Sequence, residues 1–264
     1  MNRSISFLHA GGIGDIIYAI PAILSVLKNN NADKAELYLQ LGGETTYSGW
    51  HPLGNKLLDE GFIDRLTPLL KSQSYIQDVK VHDGRKVDID LNGFRQLPIN
   101  PTTYCLPRWY FLFLVGTRWD LSQPWIVVEP NKKFKDYILV NRNPRLQSEY
   151  INYKFMNDFA DKIVFVGVRR EFDEFRRECP NCNNFYEAPH FLELAQALAG
   201  ARFFCGNQGF IYTLAEAMKT PRLLETNNRA ANNIPTGPHC YDALFRQGFV
   251  HWFNFMYKEY PVRE

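Results

Sequence analysis

The sequence lacks several things that would have fixed its class at once. No stretch approaches the roughly 18 consecutive apolar residues of a membrane-spanning helix; the longest runs, IIYAIPAILSVL and YFLFLVG, fit buried elements of a globular domain. A secretory leader is not expected, because Gly11 and Gly12 interrupt the N-terminal apolar stretch and no small-residue cleavage site follows. Charge of one sign is missing too. Thirty Lys and Arg against 28 Asp and Glu leave a net charge of +2, which advertises no general polyanion partner, although a local basic patch is compatible with it. The five cysteines are odd in number and scattered, against a secreted disulfide framework. Cys179 and Cys182 form a single CPNC with no second C-x-x-C or histidine pair at zinc-ligand spacing, so it reads as a loop carrying two thiols and no metal site is expected. No internal repeat or low-complexity tract occurs. These absences leave a cytoplasmic globular protein that touches membranes, if at all, peripherally.

What is present is 45% hydrophobic and 15% aromatic residues, enough for a sizeable core, in 264 residues that suit two domains of about 130 each. SISFLHA reads as a buried strand, GGIGD as a turn, and IIYAIPAILSVLKNNN as a helix with an asparagine-rich stop. AELYLQL is a second strand. The pattern then loosens, with a hairpin expected in VKVHDGRKVDIDL around the Asp83-Gly84 turn signal, before helical character returns at PRWYFLFLVG. The break NKKFK after Pro130 separates two differently patterned halves, giving expected domains 1–130 and 131–264. The second half alternates: strands YILVN, IVFVG, RFFCG and RLLET, with helices near YKFMNDFA, FDEFRREC, HFLELAQALAG and FIYTLAEAM. Such alternation implies an α/β fold with a parallel, doubly wound sheet that binds ligands at the carboxyl ends of its strands.

Two strand-to-helix turns carry the chemical signals. In the first, Gly11, Gly12 and Gly14 permit close approach of a ligand, and Asp15 stands in the first helical turn. A dinucleotide fingerprint would need a third glycine where Ile17 stands, and an acid closing the second strand where glycines stand. Asp15 is therefore either a helix acid favoured by the dipole or a base that takes a proton from an acceptor hydroxyl. In the second turn, Asn207, Gln208 and Gly209 lead into a helix whose free N–H groups suit a pyrophosphate; the plain alternative makes Asn207 a helix cap. Arg142 and Arg145 follow a strand beside a proline, where exposed arginines read as a solvated loop. Asp88 and Asp90 form a D-x-D, but their alternation with Val87, Ile89 and Leu91 fits the wet face of a strand better than a metal site. RREFDEFRRE reads as a solvated helix face, with Arg169 near a strand end, and RWYFLF and HWFNFMY as packing or an acceptor platform. His9 reads as a packed histidine.

Taken in order, GGIGDIIYAIPAI, YILVNRNPR, IVFVG and FFCGNQGFIYTLAEAMKTPRL resemble the heptosyltransferase type of glycosyltransferase, glycosyltransferase family 9. The resemblance covers most of the second half and about the first 30 residues. It implies two Rossmann-like domains facing a cleft, the architecture called GT-B, with the acceptor on the N-terminal side and a nucleotide sugar on the C-terminal side. It implies Asp15 as general base, Gly12 and Gly14 beside the donor, Arg142 and Arg145 at the phosphates, and Asn207, Gln208, Gly209 and Phe210 at the diphosphate with Tyr212 behind them. The implied reaction is an inverting, metal-independent transfer from a nucleotide-diphosphate sugar, the co-substrate, with no cofactor. Family members usually place an acid and a threonine at Asn207 and Gln208 and a histidine at Tyr212, so donor identity stays open. The acceptor stays open as well: a glycan, a lipid-linked glycan at the inner membrane, another hydroxyl, or a modified DNA base. A binding module without turnover, or another nucleotide-sugar enzyme such as an epimerase, are the alternatives.

Overall fold

The computed structural model describes residues 3–45, 53–100 and 102–260. By contacts the chain forms two units, Met1–Leu121 with Asn232–Ile234, and Ser122–Ala231 with Pro235–Glu264. The division falls after Leu121, not after Pro130. Residues 122–130 belong to the second unit because Trp125 is buried there and its N–H donates to Ala217 O at 2.9 Å, while Asn131 N–H donates to Gln196 O at 2.8 Å.

In the first unit β1 (Ser4–His9) leads through the glycine turn into α1 (Ile13–Asn29), followed by β2 (Lys34–Leu39), α2 (Glu60–Lys71), β3 (Ile76–Val81), β4 (Ile89–Asp90) and α3 (Leu106–Phe113). Ile5, Phe7 and His9 alternate inward along β1, and α1 buries nearly every apolar residue from Ile16 to Leu27, so the strand and helix share one core. Each large side chain so buried contributes about 1.5–3 kcal/mol. The strand order is β3-β2-β1-β4, all parallel. The hairpin expected at VKVHDGRKVDIDL is thereby overturned. Gly84 does make a turn, at φ +86°, but β3 joins β2 while β4 crosses to the far edge and joins β1. Asp88 draws it there: its Oδ2 accepts from Ser6 N–H at 2.8 Å and Ser6 Oγ at 2.6 Å.

The second unit comprises β5 (Ile138–Asn141), β6 (Ile163–Val166), α4 (Arg169–Glu178), β7 (Asn184–Tyr186), α5 (Phe191–Gly200), β8 (Phe203–Asn207), α6 (Phe210–Met218), β9 (Arg222–Glu225), β10 (Cys240–Ala243) and α7 (Arg246–Glu259). Its order is β10-β9-β8-β5-β6-β7, again all parallel. β5, β6, β8 and β9 are buried along their whole length, as strands covered on both faces must be. The YKFMNDFA segment is a kinked 3-10 stretch rather than a regular helix. α7 places Phe249, Phe253 and Met256 in the core at helical spacing, which settles HWFNFMY as chiefly packing.

Candidate functional site

In an open parallel sheet, ligands bind beyond the carboxyl ends of the strands where the strand order reverses. In the first unit that point lies between β1 and β4. The turn after β1 and the 3-10 turn Gly93–Gln96 after β4 meet there, tied by Ala10 N–H donating to Asn92 Oδ1 at 2.7 Å. Asp15, in the first turn of α1, has its Oδ2 bound by Arg95 Nη2 at 2.5 Å, each side chain 28% exposed. Among the described residues Oδ1 accepts no hydrogen bond. The guanidinium of Arg95 also lies 4.7 Å over the Phe94 ring. Gly11 sits between these groups: a Cβ there would lie 2.6 Å from Arg95 Nη2, 2.7 Å from His9 Cε1 and 2.9 Å from Asp15 Oδ2, so any side chain would push the Asp15–Arg95 pair and His9 from their places.

His9 supports the turn from below. Gly11 N–H donates to its Nδ1 at 3.0 Å, which leaves the ring proton on Nε2 to donate to Tyr110 Oη at 2.8 Å; Tyr110 in turn donates to the backbone carbonyl of Asp15 at 3.2 Å. Burial, aided by the Arg95 charge, holds His9 well below its ordinary 6.5 and therefore neutral. Burial pushes the Tyr110 phenol up, so it remains a donor. Unfolded, His9 binds a proton near 6.5; folded, it does not. Stability from this group is accordingly present above pH 6.5 and lost as pH falls below it, by up to about 1.4 kcal/mol per unit. Urea midpoints measured between about pH 7.5 and 5.5 are expected to fall more steeply for the native protein than for His9→Gln.

In the second unit the reversal lies between β5 and β8. Gly206 permits the two strands to approach, since a Cβ would lie 2.3 Å from Asn141 O. Asn207 then clamps the two loops: its Oδ1 accepts from Asn143 N–H and its Nδ2 donates to Asn143 O, both at 2.7 Å. It is not a helix cap. The cap of α6 is Gly209, without a side-chain bond, and a Cβ on Gly209 would meet open space, so the start of α6 is open at Gly209 while Ile211, Tyr212 and Thr213 behind it are buried. Gln208 is buried, donating to Ala230 O and accepting from Asn227 N–H. Phe210 packs on Phe191 at 4.5 Å, and Tyr212 is wholly buried beside Phe204.

Arg142 is neither a solvated loop residue nor open to a ligand. Its Nε and Nη2 hold Glu225 at 2.9 and 3.2 Å, Nη1 holds Glu178 at 2.8 Å, Nη2 also reaches Ile151 O at 2.6 Å, and its plane lies 4.5 Å over Tyr153. Arg145 stands in the 3-10 turn Pro144–Leu146, half-buried, with its charge near Glu171. Glu171 is the buried charged residue of α4, beside buried Phe172 and Phe175; burial raises its carboxyl above the ordinary range, against a bond from Asn141 Nδ2 at 3.1 Å. Arg169 is exposed and pairs with Asp173.

Among the described residues no three His, Cys, Asp or Glu side chains stand together as a metal site. Asp88 serves Ser6, and Asp90 accepts from Asn92 N–H at 2.9 Å. Cys179 and Cys182 are buried free thiols bonded to Tyr153 O and Met156 O. A cavity of about 180 Å³ lined by Ile126, Val127, Met218 and Lys219 lies where α5 and α6 end, away from the strands' carboxyl ends. No described helix is long and apolar enough to cross a membrane. Sequence reasoning missed Arg95, Tyr110, Glu171 and Glu225. Only the parallel placement of β4 beside β1 brings Arg95 to Asp15.

Neither a protein-family model nor a curated protein matches the sequence. Solved structures do match the fold. A glycosyltransferase family 9 protein from Veillonella parvula aligns at 12% identity with a TM-score of 0.62, over 92% of this chain and 87% of that one. The E. coli ADP-heptose lipopolysaccharide heptosyltransferase II aligns at 8% identity and 0.63, over 96% and 98%. The E. coli heptosyltransferase WaaC, solved with ADP-2-deoxy-2-fluoro heptose, aligns at 12% and 0.62, over 97% and 99%. Two parallel α/β units, each with its own reversal point, over almost the full length of these proteins, give the chain the GT-B fold of the heptosyltransferases.

Proposed function

We propose that the protein transfers a glycosyl group from a nucleotide-diphosphate sugar to an acceptor hydroxyl. The observation that carries this reading is Asp15, a carboxylate fixed through Oδ2 by Arg95 and with Oδ1 free of hydrogen bonds among the described residues, at a ligand-binding position of the first sheet. In the proposed reaction Oδ1 takes the acceptor proton as the oxygen attacks the anomeric carbon, inverting it, and the nucleotide diphosphate leaves. The first turn of α6 at Gly209 and Phe210 receives the leaving phosphates through its N–H groups, with Arg145 as the cation of the neighbouring loop. Gly12 and Gly14 keep the first turn low enough for the substrate. Asn207, Gln208, Arg142 and Tyr212 act behind this surface: their bonds and burial shape the two loops. No step of this scheme uses a metal. The protein works in the cytoplasm, and a membrane-borne acceptor is met by peripheral contact.

A melting screen with ADP, UDP, GDP and CMP and their sugars, with and without chelator, tests the reading. One nucleotide class is expected to stabilise the protein, by about 2.7 kcal/mol at a hundred times its Kd, and its sugar to be consumed with a suitable acceptor, chelator making no difference. Stabilisation without turnover on any acceptor class would favour a binding module. A folded protein that no nucleotide stabilises would refute the transferase reading.

A further inference from the structure

The loop that ends α4 carries two thiols that the proposed reaction does not use. Cys179, Pro180, Asn181 and Cys182 form a turn in which Cys182 N–H donates to Cys179 O at 3.1 Å. A turn closed in this way holds its end Cα atoms within about 7 Å of each other, and a disulfide spans about 4.4–6.8 Å. Pro180, at the second position, fixes the backbone of the turn. Both thiols are buried and hydrogen-bond to one another. Pro180 and Asn181 between them are exposed, so each sulfur lies one residue from the surface.

The same turn is fastened along residues 153–157. Cys179 Sγ donates to Tyr153 O at 3.0 Å and Cys182 Sγ to Met156 O at 3.6 Å. Asn157 Oδ1 accepts from Asn181 N–H at 3.0 Å, and Asn157 Nδ2 donates to Glu178 O at 3.1 Å. Glu178 Oε2 accepts from Tyr153 N–H at 2.7 Å, while its Oε1 holds Arg142 Nη1 at 2.8 Å. The seam therefore runs from the two thiols to Arg142, which begins the loop that carries Arg145.

We infer that Cys179 and Cys182 are an oxidation site: an oxidant of the peroxide class joins them in a disulfide, and closure unfastens the seam that holds Glu178 and Arg142. The Cys182 sulfur attacks a peroxide oxygen; the S–O bond forms, the O–O bond breaks, and the departing hydroxide takes the thiol's proton to become water. The Cys179 sulfur then attacks the Cys182 sulfenic sulfur. The S–S bond forms, the S–O bond breaks, and the hydroxide released takes the Cys179 proton as a second water, so two thiols are oxidised and one peroxide is reduced. With Cys182 ionised, the Cys179 S–H turns from Tyr153 O to the thiolate; that bond holds the Cys182 thiol below its ordinary range, against burial, and makes Cys182 the attacking sulfur. In the disulfide Tyr153 O and Met156 O lose their thiol donors inside the core, a cost that closing so short a loop does little to offset. Any effect on nucleotide binding rests on the function proposed above, whereas the disulfide and its effect on the fold do not.

The native protein is treated with hydrogen peroxide, then with dithiothreitol, and its thiols are alkylated in denaturant and mapped by peptide mass. Peroxide is expected to leave the peptide spanning Cys179 and Cys182 two hydrogens lighter and closed to alkylation, to lower the melting temperature by several degrees, and to weaken binding of the stabilising nucleotide by about fivefold or more, the worth of one hydrogen bond. Dithiothreitol should reverse all three. Cys182→Ala should form no such peptide and should melt alike before and after peroxide; the mapping on native protein decides the matter should that variant not fold. Both thiols staying open to alkylation in peroxide that oxidises the partly exposed Cys240 would overturn the inference, as would a disulfide that leaves the melting temperature unchanged. A disulfide that lowers the melting temperature of a protein no nucleotide stabilises would uphold it and remove the transferase reading instead.

Discussion

Asp15→Asn is expected to lower kcat/KM for glycosyl transfer by about 10²–10⁴-fold, the usual worth of a positioned general base, and to leave nucleotide stabilisation unchanged. The substitution keeps the shape of the side chain and its place in the first turn of α1, and removes only the capacity to take a proton. Loss of the Arg95 pair is a smaller matter for the fold, because at 28% exposure such a pair contributes at most about 1 kcal/mol. The melting temperature should therefore move little while turnover collapses. Arg95→Ala separates positioning from proton transfer. It removes no base, so its effect should be smaller, a loss in kcat that reports only the freed orientation of the carboxylate once the guanidinium no longer holds Oδ2. If Asp15→Asn retained turnover within a few fold, Asp15 would be a helix acid that complements the α1 dipole.

How much of this was legible in the sequence depends on whether neighbouring or distant residues carried the signal. The unit β1–turn–α1 could be read because its period changes from two to 3.6 across glycines, and β5, β6, β8, α6 and β9 because apolar runs of four or five residues stand between helical patterns. α2 was obscured by Gly61 and Pro68, although Asp59 caps it through Phe62 N–H at 2.9 Å. The hairpin expectation failed because a turn signal fixes only the local reversal; Asp83 and Gly84 turn the chain, and the partner of β4 is chosen by Ser6 and Asp88, 82 residues apart. The same limit applies at the sites. Asp15 and the Asn207–Gly209 turn stand out locally, whereas Arg95 is 80 residues from its carboxylate and looks like any loop arginine. Arg142 was visible as a cation, but its commitment to Glu225, 83 residues on, was not.

Glu225→Ala is expected to destabilise the protein by about 3 kcal/mol, near the lower end for breaking a buried ion pair, or roughly 6–12 °C at 2–4 °C per kcal/mol. Burial raises the Glu225 carboxyl above its ordinary range, while Arg142 and the Ser148 N–H at 2.6 Å pull the other way. Removing it leaves a buried guanidinium that keeps only the half-exposed Glu178, Ile151 O and the Tyr153 face. Those remaining partners are why the lower figure applies. Adding Arg142→Met should restore part of the loss, because the unmatched charge goes with it, and Glu225→Gln should cost less than the alanine. The effect should also reach the nucleotide. Arg142 and Ser148 flank Asn143, which Asn207 clamps at the reversal point of the second sheet, so releasing their shared carboxylate loosens the loop that carries Arg145. Titrating the stabilising nucleotide into each variant, at a temperature where all are folded, should give weakened binding in Glu225→Ala and near-native binding in Glu225→Gln. Native affinity in the alanine variant would show that this buried network holds the fold and has no part in presenting the phosphate loop.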